Sequence, residues 1–214
     1  MFQLYFLPMK SRQNTLLVLL TLAILAWSGW QPKDRLTWYL EVAPVLIALP
    51  ILFLTRRSFP LTSLVYWLLA IHGAILMIGG HYTYAEMPLF SWLRDTFELS
   101  RNYYDRLGHV AQGFIPAILV REILLRRSPL QVGKWLFFMT TSVCLAISAS
   151  YEFFEWWVAV ASGEDAVAFL ATQGDVWDTQ WDMFLALCGA VSSQWLLGRW
   201  HDRQLLRLNY NGVR

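Results

Sequence analysis

The sequence predicts an all-α membrane protein: a bundle of six transmembrane helices with both termini cytoplasmic, forming one polytopic domain over residues 1–214. Three observations carry that prediction. Hydrophobic residues make up 57% of the chain and charged residues only 15%, with a mean hydropathy of +0.40. Lipid-exposed helices need that balance, whereas a soluble domain carries about 25% charge. Six mainly apolar segments, at about 15–30, 36–54, 61–80, 107–125, 135–158 and 182–199, are near the length required. At 1.5 Å of rise per residue, crossing a core of roughly 30 Å takes about 20 residues. Twelve tryptophans fit the third observation, since Trp favours the headgroup zone at helix ends. The net charge of +2, with no basic stripe carrying interleaved aromatics, excludes nucleic acid as a partner. The lipid bilayer is the partner that this composition requires.

The first segment, "MKSRQNTLLVLLTLAILAWSG", has a basic head and an apolar stretch, like a secretory signal. The apolar segments that follow make an uncleaved first helix the better reading. Met9 is an equally good start, with residues 1–8 then an upstream extension. The joints "QPKDR" and "TRRSFP" are short, as for antiparallel hairpins. Pro44, Pro50 and Pro116 interrupt the second and fourth segments. The longer joints, 81–106 and 159–181, have helical patterns of their own. "MPLFSWLRDTFEL" (87–99) mixes apolar and charged residues as an interfacial helix does. "SGEDAVAFLATQG" (162–174) runs from a capping Ser162 to a terminating Gly174. Either stretch suits a lid or ordinary surface coverage. Cys144 and Cys188 lie within apolar runs without C-x-x-C spacing, which favours buried free thiols over a disulfide or metal site.

Lys and Arg set the orientation. Twelve fall on the side shared by the two termini and five on the other, so both termini are expected in the cytoplasm. The acids split the opposite way. Of fifteen Asp and Glu, only Glu122 and Asp202 fall on the inner side. Acids contribute little to topology, so this bias needs another cause.

On the outer side several polar groups share one depth. The third segment ends in His81, Tyr82 and Tyr84. The fourth opens with Asp105 and His109, one helical turn apart, and Gln112 continues that face. The fifth ends with Glu152 and Glu155 beside Trp156 and Trp157. The sixth opens with Asp175, Asp178 and Asp182, a stripe if the helix begins that early. Glu41 lies in the outer part of the second. A carboxylate in hydrocarbon costs about 2.5–3.5 kcal/mol on insertion scales, so such residues face a bundle interior or wet cavity and find partners. Packed carboxylates either hold protons or are neutralised by cations; Arg101 and Arg106 would neutralise two, a divalent metal several.

Plainer roles compete. Asp175 suits a helix cap and Asp178 a first-turn acid on the helix dipole. His81 and the tyrosines suit interface anchors, Glu41 a partner for Lys33 or Arg35, and His72 a helix–helix hydrogen bond. His109, Glu152 and Asp182, one from each of three helices and slightly deeper, are the hardest to explain that way.

The blocks "HYTYAEMP", "RNYYDRLGHVAQGF", "YEFFEWW" and "TQGDVWDTQWDM" resemble those of the YjdF-type bacterial inner-membrane proteins from about residue 9 onward. That resemblance implies a multi-pass protein of the bacterial inner membrane with no assigned activity, substrate or cofactor. A more distant likeness is to VanZ-like membrane proteins, with Asp105/His109, Glu152 and Asp178/Asp182 in the matching places. Those proteins tend to place Asn four residues after the last acid, where this chain has Ala186.

Two functional readings follow. In the first, an enzyme at the outer leaflet holds a divalent metal such as Zn²⁺ or Mn²⁺ through His81, Asp105, His109, Glu155 and Asp178. Glu152 and Asp182 then serve as catalytic carboxylates in hydrolysis or transfer on an envelope or lipid-linked substrate. In the second, an acidic vestibule collects a cation or proton for transport, with the prolines marking broken helices; no inner relay of acids completes a path. A scaffold protein whose acids bind partners is a third option.

Overall fold

The computed structural model describes residues 11–162 and 170–208, with side chains from 15–161 and 170–208. Seven α-helices and one 3₁₀ turn occur among them, without strands. They are α1 (Ser11–Ser28), α2 (Arg35–Thr55), α3 (Ser63–Tyr82), α4 (Pro88–Thr96), α5 (Tyr104–Arg127), α6 (Lys134–Ser162) and α7 (Asp178–Arg207), with the turn at Tyr84–Glu86. All but α4 coincide with the six apolar segments. By length and composition α2, α3, α5 and α6 are long and apolar enough to cross a membrane, whereas the apolar part of α1, Thr15–Ser28, is shorter. At 30 residues α7 is the longest helix, but its ends carry charge, Asp178 and Asp182 at one and Arg199 to Arg207 at the other.

The long helices alternate in direction, as the short joints predict. The start of α7 meets the start of α5 through Arg106 and the aspartates. At the opposite end Leu125 of α5, Leu136 of α6 and Leu205 of α7 form one buried cluster. Exposed Trp30, Trp92, Trp156, Trp157, Trp177 and Trp181 ring the first end, while Trp135, Trp195 and Trp200 ring the second. Two aromatic girdles separated by apolar helix surface are the pattern of a protein seated in a bilayer.

In lipid no hydrophobic force drives helices together, so small residues that admit close approach become the packing device. The contact between α5 and α7 is built this way. A Cβ at Gly113 would lie 2.6 Å from the Ala186 carbonyl carbon, and one at Gly189 would lie 2.8 Å from the Phe114 nitrogen. These two helices therefore touch backbone to backbone near mid-membrane. Tyr84 fills the space left by Gly79 and Gly108 in the same manner.

Several expectations change in detail. The interfacial helix expected over 87–99 is α4, beginning on Pro88 at the first position, where its missing N–H costs nothing. The stretch 162–174 lies mostly outside the described residues. The final helix begins at Asp178, so Asp175 is not its cap; Asp175 Oδ1 instead accepts from the Trp177 N–H at 2.9 Å, closing the turn before the helix. Both cysteines are free, but Cys188 is exposed rather than buried, because it lies on the face of α7 turned from the bundle. Glu41 does not reach Lys33, which pairs with Glu86 instead. His72 makes no helix–helix hydrogen bond: its Nε2 is buried without a partner.

Candidate functional site: an ionic cluster at the N-terminal ends of α5 and α7

The sequence just before α5 is shaped by Asn102. Its side chain accepts from the Tyr104 N–H at 3.1 Å, satisfying a free donor of the helix start. Its amide donates to Met87 O and Ser91 Oγ, both at 3.0 Å, and its backbone exchanges two 2.9 Å bonds with the Gln173 side chain. Fully buried, Asn102 thus ties α4, α5 and the segment before α7 together. That segment is strained: Ala171 and Gln173 hold φ of 49° and 51°, values non-glycine residues rarely adopt, and Gly174 follows at 83°. The strain buys position, since it turns the Ala171 carbonyl to accept from Arg101 at 3.1 Å.

Arg101 and Arg106 are the hubs. Arg101 donates to Asp178 Oδ1 at 2.6 Å and to Asp105 Oδ2 at 3.3 Å. Arg106 donates to Asp175 Oδ2 at 3.0 Å, to Asp178 Oδ1 at 2.7 Å and to Asp182 Oδ1. The planar fork of the guanidinium suits such branched pairing. The three aspartates at the mouth of α7 are therefore held by one arginine of α5. Burial still pushes the Asp178 carboxyl above its ordinary range, although the Arg101 hydrogen bond pulls it back.

One helical turn deeper, His109 stands among carboxylates. Its Nε2 is 3.4 Å from Asp105 Oδ1 and 3.7 Å from Asp182 Oδ1, and its Nδ1 is 4.0 Å from Glu152 Oε1. Gln112 Oε1, which can only accept, lies 2.9 Å from Nδ1. That bond assigns a proton to Nδ1 and turns Nε2 toward the two aspartates. Glu152 Oε1 is buried without a hydrogen-bond partner. Five carboxylates (Asp105, Glu152, Asp175, Asp178 and Asp182) thus face two guanidinium groups.

Asp105, His109 and Asp182 each offer a ligand atom within 4.8 Å of the others. Ligands bound to one ion at about 2.0–2.2 Å stand roughly 3.3–3.6 Å apart in a tetrahedron, close to the separations around Nε2. Of the other candidate ligands, Asp178 Oδ1 accepts from both arginines, where Asp182 Oδ1 accepts from Arg106 alone. Glu155 lies across a neighbouring cavity with Glu41, whose Oε2 accepts from Tyr151 at 3.4 Å. His81 sits elsewhere, its Nδ1 3.0 Å from Ser28 O and its ring 4.5 Å from that of Trp27. It is an anchor between α1 and α3.

That cavity has a volume of about 650 Å³ and reaches from the His109 end, between α1, α2, α3, α5 and α6, toward the far end of α2. Its walls are mostly aliphatic, and Pro44, Pro50 and Pro116 all border it. Tyr84, whose phenol burial holds well above its ordinary pKa, closes its outer end.

A second buried network lies at the opposite end of the same two helices. Glu122 accepts from Thr62 Oγ1 at 2.7 Å, from Arg126 at 2.6 Å and from His201 Nε2 at 3.0 Å, while Arg121 donates to His201 Nδ1 at 2.9 Å. Gln204 Oε1 caps the start of α3 through the Leu64 N–H at 3.0 Å. Sequence reading gave this end no role. The one available signal was Glu122 and His201, polar residues inside otherwise apolar helices.

Alternating apolar helices, two aromatic girdles and a buried ionic cluster at one end define a multi-pass membrane protein with an internal polar site. Comparison with known proteins agrees. The chain belongs to the family described as "Predicted membrane protein (DUF2238)", whose family model matches residues 13–203. It is similar to the inner membrane protein YjdF of Escherichia coli (strain K12), with 50% identity over 194 residues, covering 91% of this chain and 92% of that one. No solved structure matches it. The chain is a multi-pass protein of the inner membrane, as its resemblance implies.

Proposed function

We propose that this protein is a membrane-embedded hydrolase or transferase that acts at the outer leaflet on a lipid-linked substrate. In this reading all six long segments span the bilayer, α1 and α7 included, with both termini cytoplasmic. The observation that carries it is the grouping of Asp105, His109 and Asp182 beside Glu152, whose Oε1 has no hydrogen-bond partner, next to an apolar cavity. Arg101 and Arg106 leave an excess of carboxylates, and a divalent ion among the three groups offsets it. Such an ion supplies Lewis-acid polarisation of a carbonyl or phosphoryl oxygen. Gln112 orients His109 as outer partners of metal-binding histidines do. Glu152, its Oε1 free, accepts the proton of the attacking water or hydroxyl. Transport is less well supported, because among the described residues no acid of the inner network lines the cavity that leaves the outer cluster.

Metal analysis of the purified protein tests the reading. One equivalent of Zn²⁺ or Mn²⁺ is expected, lost in Asp182→Asn and kept in Asp175→Asn. Asp175 touches only the arginines and its own turn, and its side chain is 30% exposed, so its loss costs about 1 kcal/mol or less. No metal in the wild type, or equal loss from both variants, sinks the proposal. Orientation is tested separately. A cysteine at Glu98 should react with an impermeant thiol reagent from the periplasm, and one at Ser128 should not. The reverse pattern would put the cluster on the cytoplasmic face.

A further inference from the structure

Resting on that reading, we infer that the lipid is a zwitterionic phospholipid. One acyl chain lies in the cavity and its ammonium group faces Glu41 and Glu155.

Depth is the first argument. His109 lies five residues into α5 and Asp182 four into α7, so the cluster sits about 6–8 Å below the outer helix ends at 1.5 Å per residue. The cavity continues along α2 from Glu41 to Arg56, fifteen residues or about 22 Å. One leaflet of a hydrocarbon core of roughly 30 Å is about 15 Å deep. The slot therefore takes an extended chain whose polar end stays beside the cluster.

Access is the second. α2 and α6 both border the cavity but scarcely pack on each other. Tyr151 on Glu41 bridges them. Each packs instead on a neighbour, α2 on α3 and α6 on α5 and α7. In a bilayer the space between two such helices opens onto acyl chains, which are the apolar material at hand.

Charge is the third. At the outer end the lining carries Glu41, Asp105 and Glu155, and among the described lining residues the only Lys or Arg is Arg56, at the opposite end. Asp105 is paired with Arg101, whereas Glu41 meets Tyr84, Tyr151 and the His109 ring, and no Lys or Arg is paired with Glu41 or Glu155 among the described residues. A carboxylate in this zone needs a partner, and one that stays ionised needs a counter-charge. A headgroup carrying phosphate and ammonium meets both demands: the phosphate turns to the metal group and the ammonium to the two glutamates. A purely anionic headgroup leaves them unbalanced. His72, its Nε2 buried and unpartnered, also lines the slot and offers a hydrogen bond to a polar group of the ligand.

The test uses full-length protein reconstituted in vesicles of equal phosphatidylethanolamine and phosphatidylglycerol, extracted in mild detergent, with retained lipid counted by native mass spectrometry. Wild type should keep one lipid, with phosphatidylethanolamine enriched about tenfold, as charge complementarity selects partners. Glu41→Gln with Glu155→Gln should still hold a lipid but lose the preference. Ala48→Trp, which obstructs the slot, should lose the lipid; if that variant unfolds, the charge variant decides. Asp182→Asn, without metal, loses the phosphate contact and should hold the lipid less tightly, yet keep the preference for phosphatidylethanolamine, so failure of the metal reading is told apart from failure of this one. No lipid on the wild type, equal retention of phosphatidylglycerol, or an unchanged preference in the double glutamine variant overturns the inference.

Discussion

Replacing Arg106 with leucine is expected to destabilise the protein by about 3–5 kcal/mol, the cost of leaving buried charges without their partner. One guanidinium serves Asp175, Asp178 and Asp182 at once. Its side chain is only 10% exposed, and those of Asp178 and Asp182 are 8% and 3% exposed. Water cannot replace it, and Arg101 is already shared among Asp105, Asp178 and Ala171. Thermal unfolding in detergent should show the loss, and Asp178→Asn with Asp182→Asn in the same chain should recover much of it by removing the orphaned charges. Lys33→Ala is the control. Its pair with Glu86 is 51% and 57% exposed, and exposed pairs contribute about 0–1 kcal/mol. Comparable losses from Arg106→Leu and Lys33→Ala would mean that the cluster does not hold the N-terminal ends of α5 and α7 together.

Gly113→Leu should do still more harm. A first side-chain carbon there would overlap the backbone of Ala186, and backbone cannot rotate aside as a flexible side chain does. The two helices would have to separate, giving up their packing along with the ionic networks at both ends. Gly189→Leu meets Val110 and Phe114 in the same way. Both variants should fail to yield monodisperse protein. Gly198 provides the contrast: nothing lies within 4 Å of an added Cβ, so Gly198→Ala should be neutral or raise stability by up to about 1 kcal/mol through helix propensity. Normal folding of Gly113→Leu would place α5 and α7 further apart than described here.

The candidate site was partly legible before the fold was known. Asp105, His109 and Gln112 share a helix face at spacings of four and three, and the structure bonds His109 to Gln112 and sets it against Asp105. Acids below the helix ends need partners, and that cost marks His109, Glu152 and Asp182 in the sequence. All three do converge. His81 was drawn in by depth alone, and depth does not say which way a ring faces; Trp27 and Ser28 hold it on the far side of α3. Asn102 and Gln173 passed unnoticed because their work is the reciprocal bonding of two loops 71 residues apart.

The sequence by itself determined that this is a helical membrane protein, where its long helices lie and which end gathers the acids. These are local properties: apolar length, loop charge and the cost of an acid in hydrocarbon are summed residue by residue along one segment. Tertiary structure alone decided how the acids are neutralised. Whether Arg106 reaches one aspartate or three depends on the register of α5 against α7, and that register is set by two glycines pressed against opposing backbone. The cavity has the same origin, since α2 packs on α3 while α6 packs on α5 and α7, and space is left among them.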